Sequence, residues 1–217
     1  MSWPKVHDEF ETVELLRQGW SISRFGDGEF KLIDHKDQCR EPRNQKLARD
    51  LRDTLTKPHD RLLVAIPTMD PKGAKYESWQ RHLKRFDELL QPRLPEYYSA
   101  FISRPDSAQW IRTSEYAHAF ASVWRGKKVA IVCEADGSAL RAVAPIAREY
   151  RYFECPSHGA YAASGEIMER IRGYAPEVAI LSCGPAATVM ARRLSRTGIQ
   201  AIDFGSGGAF LAKLLRE

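Results

Sequence analysis

The sequence predicts an α/β protein: a Rossmann-like, mostly parallel sheet with helices on both faces, in a single domain over residues 1–217. Two observations carry the fold class. In the last ninety or so residues, short apolar runs rich in β-branched side chains alternate with segments long enough to be crossover helices. The runs are also apolar almost throughout, as strands covered on both faces are. A third observation favours one domain: there is no internal repeat, no low-complexity tract and no linker rich in Gly and Ser.

From the N-terminus, "HDEFETVELLRQGW" reads as a helix, "SISRF" as a strand, "NQKLARDLRDTLTK" as a helix and "RLLVAIP" as a buried strand. The loop "PTMDPKGAKY" carries Pro67, Pro71 and Gly73 and reads as an active-site flap or a long connection. Next come an amphipathic helix in "ESWQRHLKRFDELLQ" and a second, less regular strand in "AFISRP". The final series has strands in "KKVAIVCEA", "YRYFECP", "PEVAILSCG" and "GIQAIDFG", with helices in "SALRAVAPIAREY", "AYAASGEIMERIRGY" and "AATVMARRLSRTG" between them. Gly198 follows a helix end bearing Arg192, Arg193 and Arg196, a glycine stop with cations at the negative end of the dipole.

No segment reaches the roughly 20 uninterrupted apolar residues of a membrane span. The opening "MSWPKVHDEFETVELL" lacks the basic start and apolar stretch of a secretory signal, so the expectation is a soluble, cytoplasmic protein. Cys39, Cys133, Cys155 and Cys183 are widely spaced without a CxxC pair, which predicts reduced thiols rather than a zinc site. Net charge is +5. Arginine outnumbers lysine two to one, and guanidinium forks suit phosphate, so an anionic ligand fits the composition. A solvated surface fits it too, because the charge is spread along the chain.

The first constellation is "RFGDGE". Asp27 and Glu29 stand two apart, and if the strand geometry continues they project to one side, with Gly26 and Gly28 keeping that side open. Two hard oxygen donors at the carboxyl end of a strand suit Mg²⁺ or Mn²⁺ bridging to a diphosphate. The same residues also read as a glycine turn with solvated acids, or with Glu29 serving the first turn of a helix in "EFKLIDHK".

The second is "LSCGPAATVMARRL", in which Gly184 and Pro185 precede small residues at a helix start where phosphate or ribose could approach the N–H groups. It lacks the GKS or GKT of a Walker loop, and an ordinary tight turn fits as well. The analogous turn "VCEADGSALRA" offers Glu134, Asp136 or Ser138 to a ribose or base. In a parallel sheet all these turns open at the carboxyl edge, where they can converge. Single residues complete the set: Arg104 in "FISRPDS" for phosphate, and Ser157, His158 and Tyr161 in "CPSHGAY", with His158 as base or nucleobase contact. A surface ion pair and a turn histidine are the plainer readings of Arg104 and His158. No Ser–His–Asp or Cys–His order is present, and His7, His35, His59, His82 and His118 form no ligand-spaced cluster.

Taken in order, "SISRFGDGEF", "RLLVAIP", "FISRP", "ECPSHGAY" and "LSCGPAATVMARRLSRTGIQAIDFG" resemble the GT-D glycosyltransferases, a group first described as a domain of unknown function. The resemblance runs from about Ser21 to Gly205. It implies a Rossmann-like enzyme that binds a sugar nucleotide, typically UDP-linked, with a divalent cation (Mn²⁺ or Mg²⁺) held by Asp27 and Glu29. It further implies Gly184, Pro185, Ala187 and Thr188 as the GPxAT turn, Pro156 and Ser157 as the middle turn, and Arg24 and Arg104 as cations beside the leaving group. Two departures are "SHGAY", where related sequences tend to have Asn, and "DFGSGGAFLAKLL", where they tend to carry a tail with histidine and acids. The implied acceptor is a glycan or glycoprotein. The arginine-rich composition also permits a hydroxymethylated base in DNA, although no basic stripe interleaved with aromatics supports it. A regulatory module that binds nucleotide without catalysis would use the same cleft. A methyltransferase reading of "VAIVCEADGSA" lacks the glycine-rich turn expected after that fold's first strand.

Overall fold

The computed structural model describes residues 3–69, 83–104, 111–135 and 137–216. Seven strands form one sheet: β1 (Ser21–Arg24), β2 (Leu62–Ile66), β3 (Tyr98–Ser99), β4 (Lys128–Cys133), β5 (Glu149–Glu154), β6 (Val178–Ser182) and β7 (Gln200–Asp203). Their order is β3-β2-β1-β7-β6-β4-β5, and every pair is parallel. The helices among the described residues are α1 (Glu9–Arg17), α2 (Asp27–Ile33), α3 (Gln45–Thr56), α4 (Leu83–Leu89), α5 (Ser114–Ala121), α6 (Ser138–Val143), α7 (Ala160–Tyr174), α8 (Pro185–Ser195) and α9 (Gly208–Leu214).

Both faces of the sheet are covered, as the apolar runs predict. Along β4, Ala130 and Val132 join a core with Phe30 of α2, Leu47 of α3, Ile167 of α7 and Val189 of α8. Val129 and Ile131 point the other way, into a core with Leu16 of α1, Phe120 of α5, Val143 of α6 and Leu211 of α9. Local chemistry sets the helix starts. Asp8 and Glu11 make a reciprocal capping box at α1, Asn44 accepts from Lys46 N and Leu47 N at α3, and Thr113 accepts from Tyr116 N at α5.

Three expectations need correction. "AFISRP" is not a strand. The strand is the two residues before it, and Ala100–Ser103 turn sharply because the buried Arg24 guanidinium draws in the Ala100 carbonyl (3.0 Å) and the Ser103 hydroxyl (2.8 Å). "SALRAVAPIAREY" is helical only to Val143 and then tightens to a 3₁₀ turn at Ala144–Ile146, where Pro145 has no N–H to donate. β5 is an exposed edge strand rather than a covered one, and the charged Glu149, Arg151 and Glu154 protect that edge. The first half of "ESWQRHLKRFDELLQ", most of the "PTMDPKGAKY" loop and Asp136 lie outside the described residues.

The strand order positions the site. From β4 the chain crosses to outer β5, whereas from β6 it crosses the other way to β7, so the β4–β6 boundary is a point of reversal. In such sheets ligands bind in the crevice at the carboxyl ends of the strands. The turns after β1, β4, β5, β6 and β7 all open there.

Candidate active site

At the carboxyl edge, the expected strand-like projection of Asp27 and Glu29 is not met. β1 ends at Arg24, and the two carboxylates are the first and third residues of α2. Glu29 turns back to accept a hydrogen bond from Gly26 N at 2.7 Å, which satisfies one of the donors at the helix start. Asp27 stays about half exposed and pairs with Lys31 one turn on, at 2.5 Å.

Beside this turn lies a buried charge cluster that includes one residue the sequence reading did not select. Asp203, the last residue of β7, is 5% exposed. Its Oδ2 accepts from Arg24 N at 3.0 Å, and the Thr188 hydroxyl lies 3.0 Å from both that oxygen and the Arg24 carbonyl, so its one proton is shared. The Arg24 guanidinium is buried too. Its Nε lies 3.7 Å from Asp203 Oδ1, and its Nη1 donates to Ala100 O and Ser103 Oγ. Ser103 in turn donates to Phe204 O at 2.7 Å. Arg24 thus ties β1, β7 and the 100–103 corner together, and its fit is close. Gly205 has φ +62°, and a Cβ there would stand 1.8 Å from Arg24 Nη2.

Burial pushes the Glu29 carboxyl up to about 7, and the nearby Asp203 carboxylate pushes in the same direction. Burial likewise raises Asp203, while Arg24 opposes it. One guanidinium therefore faces two carboxylates in a desolvated corner. Arg104, half-buried at the end of the 100–103 corner, acts electrostatically on Arg24 and adds a second cation nearby. Thr188 is fully buried, so it reaches any ligand through Asp203 rather than directly. Thr188→Val is expected to cost about 1–2 kcal/mol of stability by removing that shared proton, measurable by urea unfolding.

The remaining expected residues line the same edge farther along. Gly184 caps α8 with φ +59°, and a Cβ there would meet nothing within 4 Å; Pro185 follows at the first helical position. The open space is beside Gly184 itself; behind it Pro185 has no N–H, Ala186 and Ala187 are fully buried, and Ala187 N donates to Gly184 O at 2.9 Å. Glu134, after β4, is paired with Arg40 at 2.7 Å. Ser157 and His158 are exposed in the turn between β5 and α7. Gly28 packs its Cα against the Gln38 side chain.

Among the described residues no group of three or more His, Cys, Asp or Glu side chains is placed to hold a metal ion. The donor set still fits a hard divalent cation that retains water and shares substrate phosphates, which needs only one or two protein carboxylates. Asp27 is open to solvent, and Glu29, raised chiefly by burial and further by Asp203, is a second carboxyl whose ionised form a cation would favour. The four cysteines are free, as expected. No helix of the described residues is long and apolar enough to cross a membrane.

Comparison with known proteins gives a consistent picture. The family described as "Glycosyltransferase GT-D fold" matches residues 22–208. The chain is 30% identical over 207 residues to a probable glycosyl transferase Gly of Streptococcus gordonii, covering 88% of this chain and 30% of that protein. It is 24% identical over 212 residues to the glycosyltransferase GlyD of Streptococcus pneumoniae, covering 90% and 26%. It thus spans less than a third of the length of these curated relatives. A solved structure of the domain of unknown function 1792, described as having a distinct glycosyltransferase fold, superposes with TM-score 0.83 at 29% identity, covering 93% of this chain and 78% of that one. A new glycosyltransferase from Streptococcus sanguinis superposes with TM-score 0.79 at 25% identity, covering 93% and 81%.

Proposed function

Since this chain belongs to the GT-D glycosyltransferase family, we propose that it transfers a sugar from a nucleotide-sugar donor, of the UDP-linked kind, to a hydroxyl group of a glycan or glycoprotein. The observation that carries this reading is the Arg24–Glu29–Asp203 cluster at the carboxyl edge, where two carboxylates share one buried guanidinium beside an open, glycine-edged helix start.

The chemistry follows from charge. As the anomeric C–O bond breaks, the leaving diphosphate gains negative charge and the sugar becomes oxocarbenium-like. Asp27 and Glu29 would hold Mn²⁺ or Mg²⁺, and the bound cation would supply stabilisation of the departing phosphate oxygens. Gly26 and Gly28 do not keep this side open as expected: Gly26 gives room for the Glu29 carboxylate to turn back, and Gly28 gives room for the Gln38 side chain. Gly184, with open space at its side, leaves room for a second phosphate or the ribose to approach the backbone of this turn. Arg104 adds positive charge on the β1 side, while Arg24, being buried, fixes Asp203 and the 100–103 corner rather than meeting the donor. Glu134, Ser157 and His158 stand where the nucleoside end would lie.

A thermal-shift screen of UDP-, GDP-, ADP- and dTDP-sugars, each with and without Mn²⁺, tests the reading. A donor present at about 100 times its Kd should add about 2.7 kcal/mol of stability, and the added stability should depend on the metal. No shift with any nucleotide sugar would overturn the proposal.

A further inference from the structure

The segment Gln38–Pro42 crosses the carboxyl edge and joins the two halves of the site. At one end the Gln38 side chain lies against Gly28, between Asp27 and Glu29 in sequence; a Cβ on Gly28 would stand 3.2 Å from Gln38 Cγ. Gln38 Oε1 accepts from Arg40 N (2.7 Å) and Glu41 N (2.8 Å), which locks a tight turn. At the other end Gly159 N donates to the Arg40 carbonyl at 2.9 Å. The Glu41 carboxylate, 3% exposed, accepts from Tyr161 N at 3.2 Å and so caps α7 from outside its own helix. The backbone of Arg40 is held from both sides, against the acid turn and against the Ser157–His158 turn.

The Arg40 side chain is not held in the same way. It is 60% exposed, and the pairing found for it is with Glu134 Oε1 at 2.7 Å, a carboxylate itself 36% exposed. An exposed pair of this kind is worth about 0–1 kcal/mol, so exchanging it is inexpensive. A phosphate offers the guanidinium fork two oxygens and more charge than one carboxylate.

Resting on the donor reading above, we propose that Arg40 is a donor-binding residue that leaves Glu134 for the diphosphate of the incoming nucleotide sugar. The exchange frees Glu134 to accept a hydrogen bond from a ribose hydroxyl. The fixed backbone keeps the cation within reach of both positions, so a side-chain rotation suffices. Arg40 then supplies leaving-group charge from the side of the cleft opposite Arg104. Nothing in the short motifs marks it, because its position depends on a strap closed by contacts from Gly28 to Gly159.

The test compares the unaltered chain with Arg40→Gln and Arg40→Lys, all with Mn²⁺. Binding of UDP is measured by calorimetry and binding of uridine by ligand-observed NMR. The expected result is a loss of about 10-fold or more in UDP affinity for Arg40→Gln, partial recovery in Arg40→Lys, and a uridine affinity that does not fall and rises by at most about 5-fold, since the charge-assisted phosphate contact is removed while Glu134 is already free for the ribose. Melting temperatures without ligand should agree. Equal UDP affinity in Arg40→Gln and the unaltered chain overturns the proposal. Equal weakening for uridine and UDP, or a lowered melting temperature, makes Arg40 a clamp of the strap and overturns it too. If the unaltered chain binds none of UDP, GDP, ADP or dTDP, the donor reading itself falls, and Arg40 with it.

Discussion

Glu29→Gln is expected to lower sugar transfer by at least ~100-fold while leaving the melting temperature unchanged or higher. The amide keeps an oxygen to accept from Gly26 N, so the start of α2 stays capped. What is lost is the negative charge. That charge is costly to the folded state, because burial and Asp203 together raise the Glu29 carboxyl to about 7. A carboxyl raised above its unfolded value favours the folded state while protonated, and this advantage fades as pH rises through about 7. Replacing it with a neutral amide removes the penalty at neutral pH, by about 1–3 kcal/mol. A site that gains stability when its acid is neutralised, and loses activity at the same time, holds that acid for function. Asp27→Asn is expected to reduce transfer similarly, with little change in stability, because its pairing with Lys31 is largely exposed. Initial-rate assays and differential scanning calorimetry on the same preparations check both outcomes. Full activity in either variant would count against the metal clamp.

Asp203→Ala is expected to destabilise the protein by about 3–5 kcal/mol, a fall of roughly 6–20 °C in Tm for a chain of this size. The substitution leaves the buried Arg24 guanidinium without its nearest counter-charge. It also removes the acceptor that Arg24 N and the Thr188 hydroxyl share. Asp203→Asn keeps an oxygen there and should cost clearly less, so the pair of variants separates charge from hydrogen bonding. Urea unfolding of both variants decides the matter. A loss under about 1 kcal/mol for the alanine variant would mean that Asp203 does not organise this corner.

Much of this architecture was legible in the sequence because it follows from local rules. The apolar runs in β4, β6 and β7 alternate between two cores, a pattern that only a sheet covered on both faces sustains. The DxE turn was legible in identity and place but not in geometry. Only Phe25 and Gly26 separate β1 from α2, so the two acids follow helical rather than strand spacing. Glu29 as a first-turn residue was one of the readings the sequence left open. Asp203 had a weaker signal, a lone carboxylate ending an apolar strand, whose meaning depends on Arg24 arriving from a chain segment 179 residues away. The corner at Ala100–Ser103 was misread for the same reason, since a long-range guanidinium bends it. Arg24 itself, taken from the resemblance as a cation beside the leaving group, is buried as the tie between strands. Arg40 belongs to a strap that no short pattern encodes.

The central claim is that the carboxyl-edge acids serve a metal-assisted glycosyl transfer. The most direct measurement is the release of sugar from a panel of nucleotide-sugar donors, followed with Mn²⁺, with excess EDTA, and after Mn²⁺ is restored. Release from at least one donor is expected with the metal, with its loss in EDTA and its return on re-addition. Undiminished release in EDTA, or no release from any donor under any of the three conditions, would contradict it.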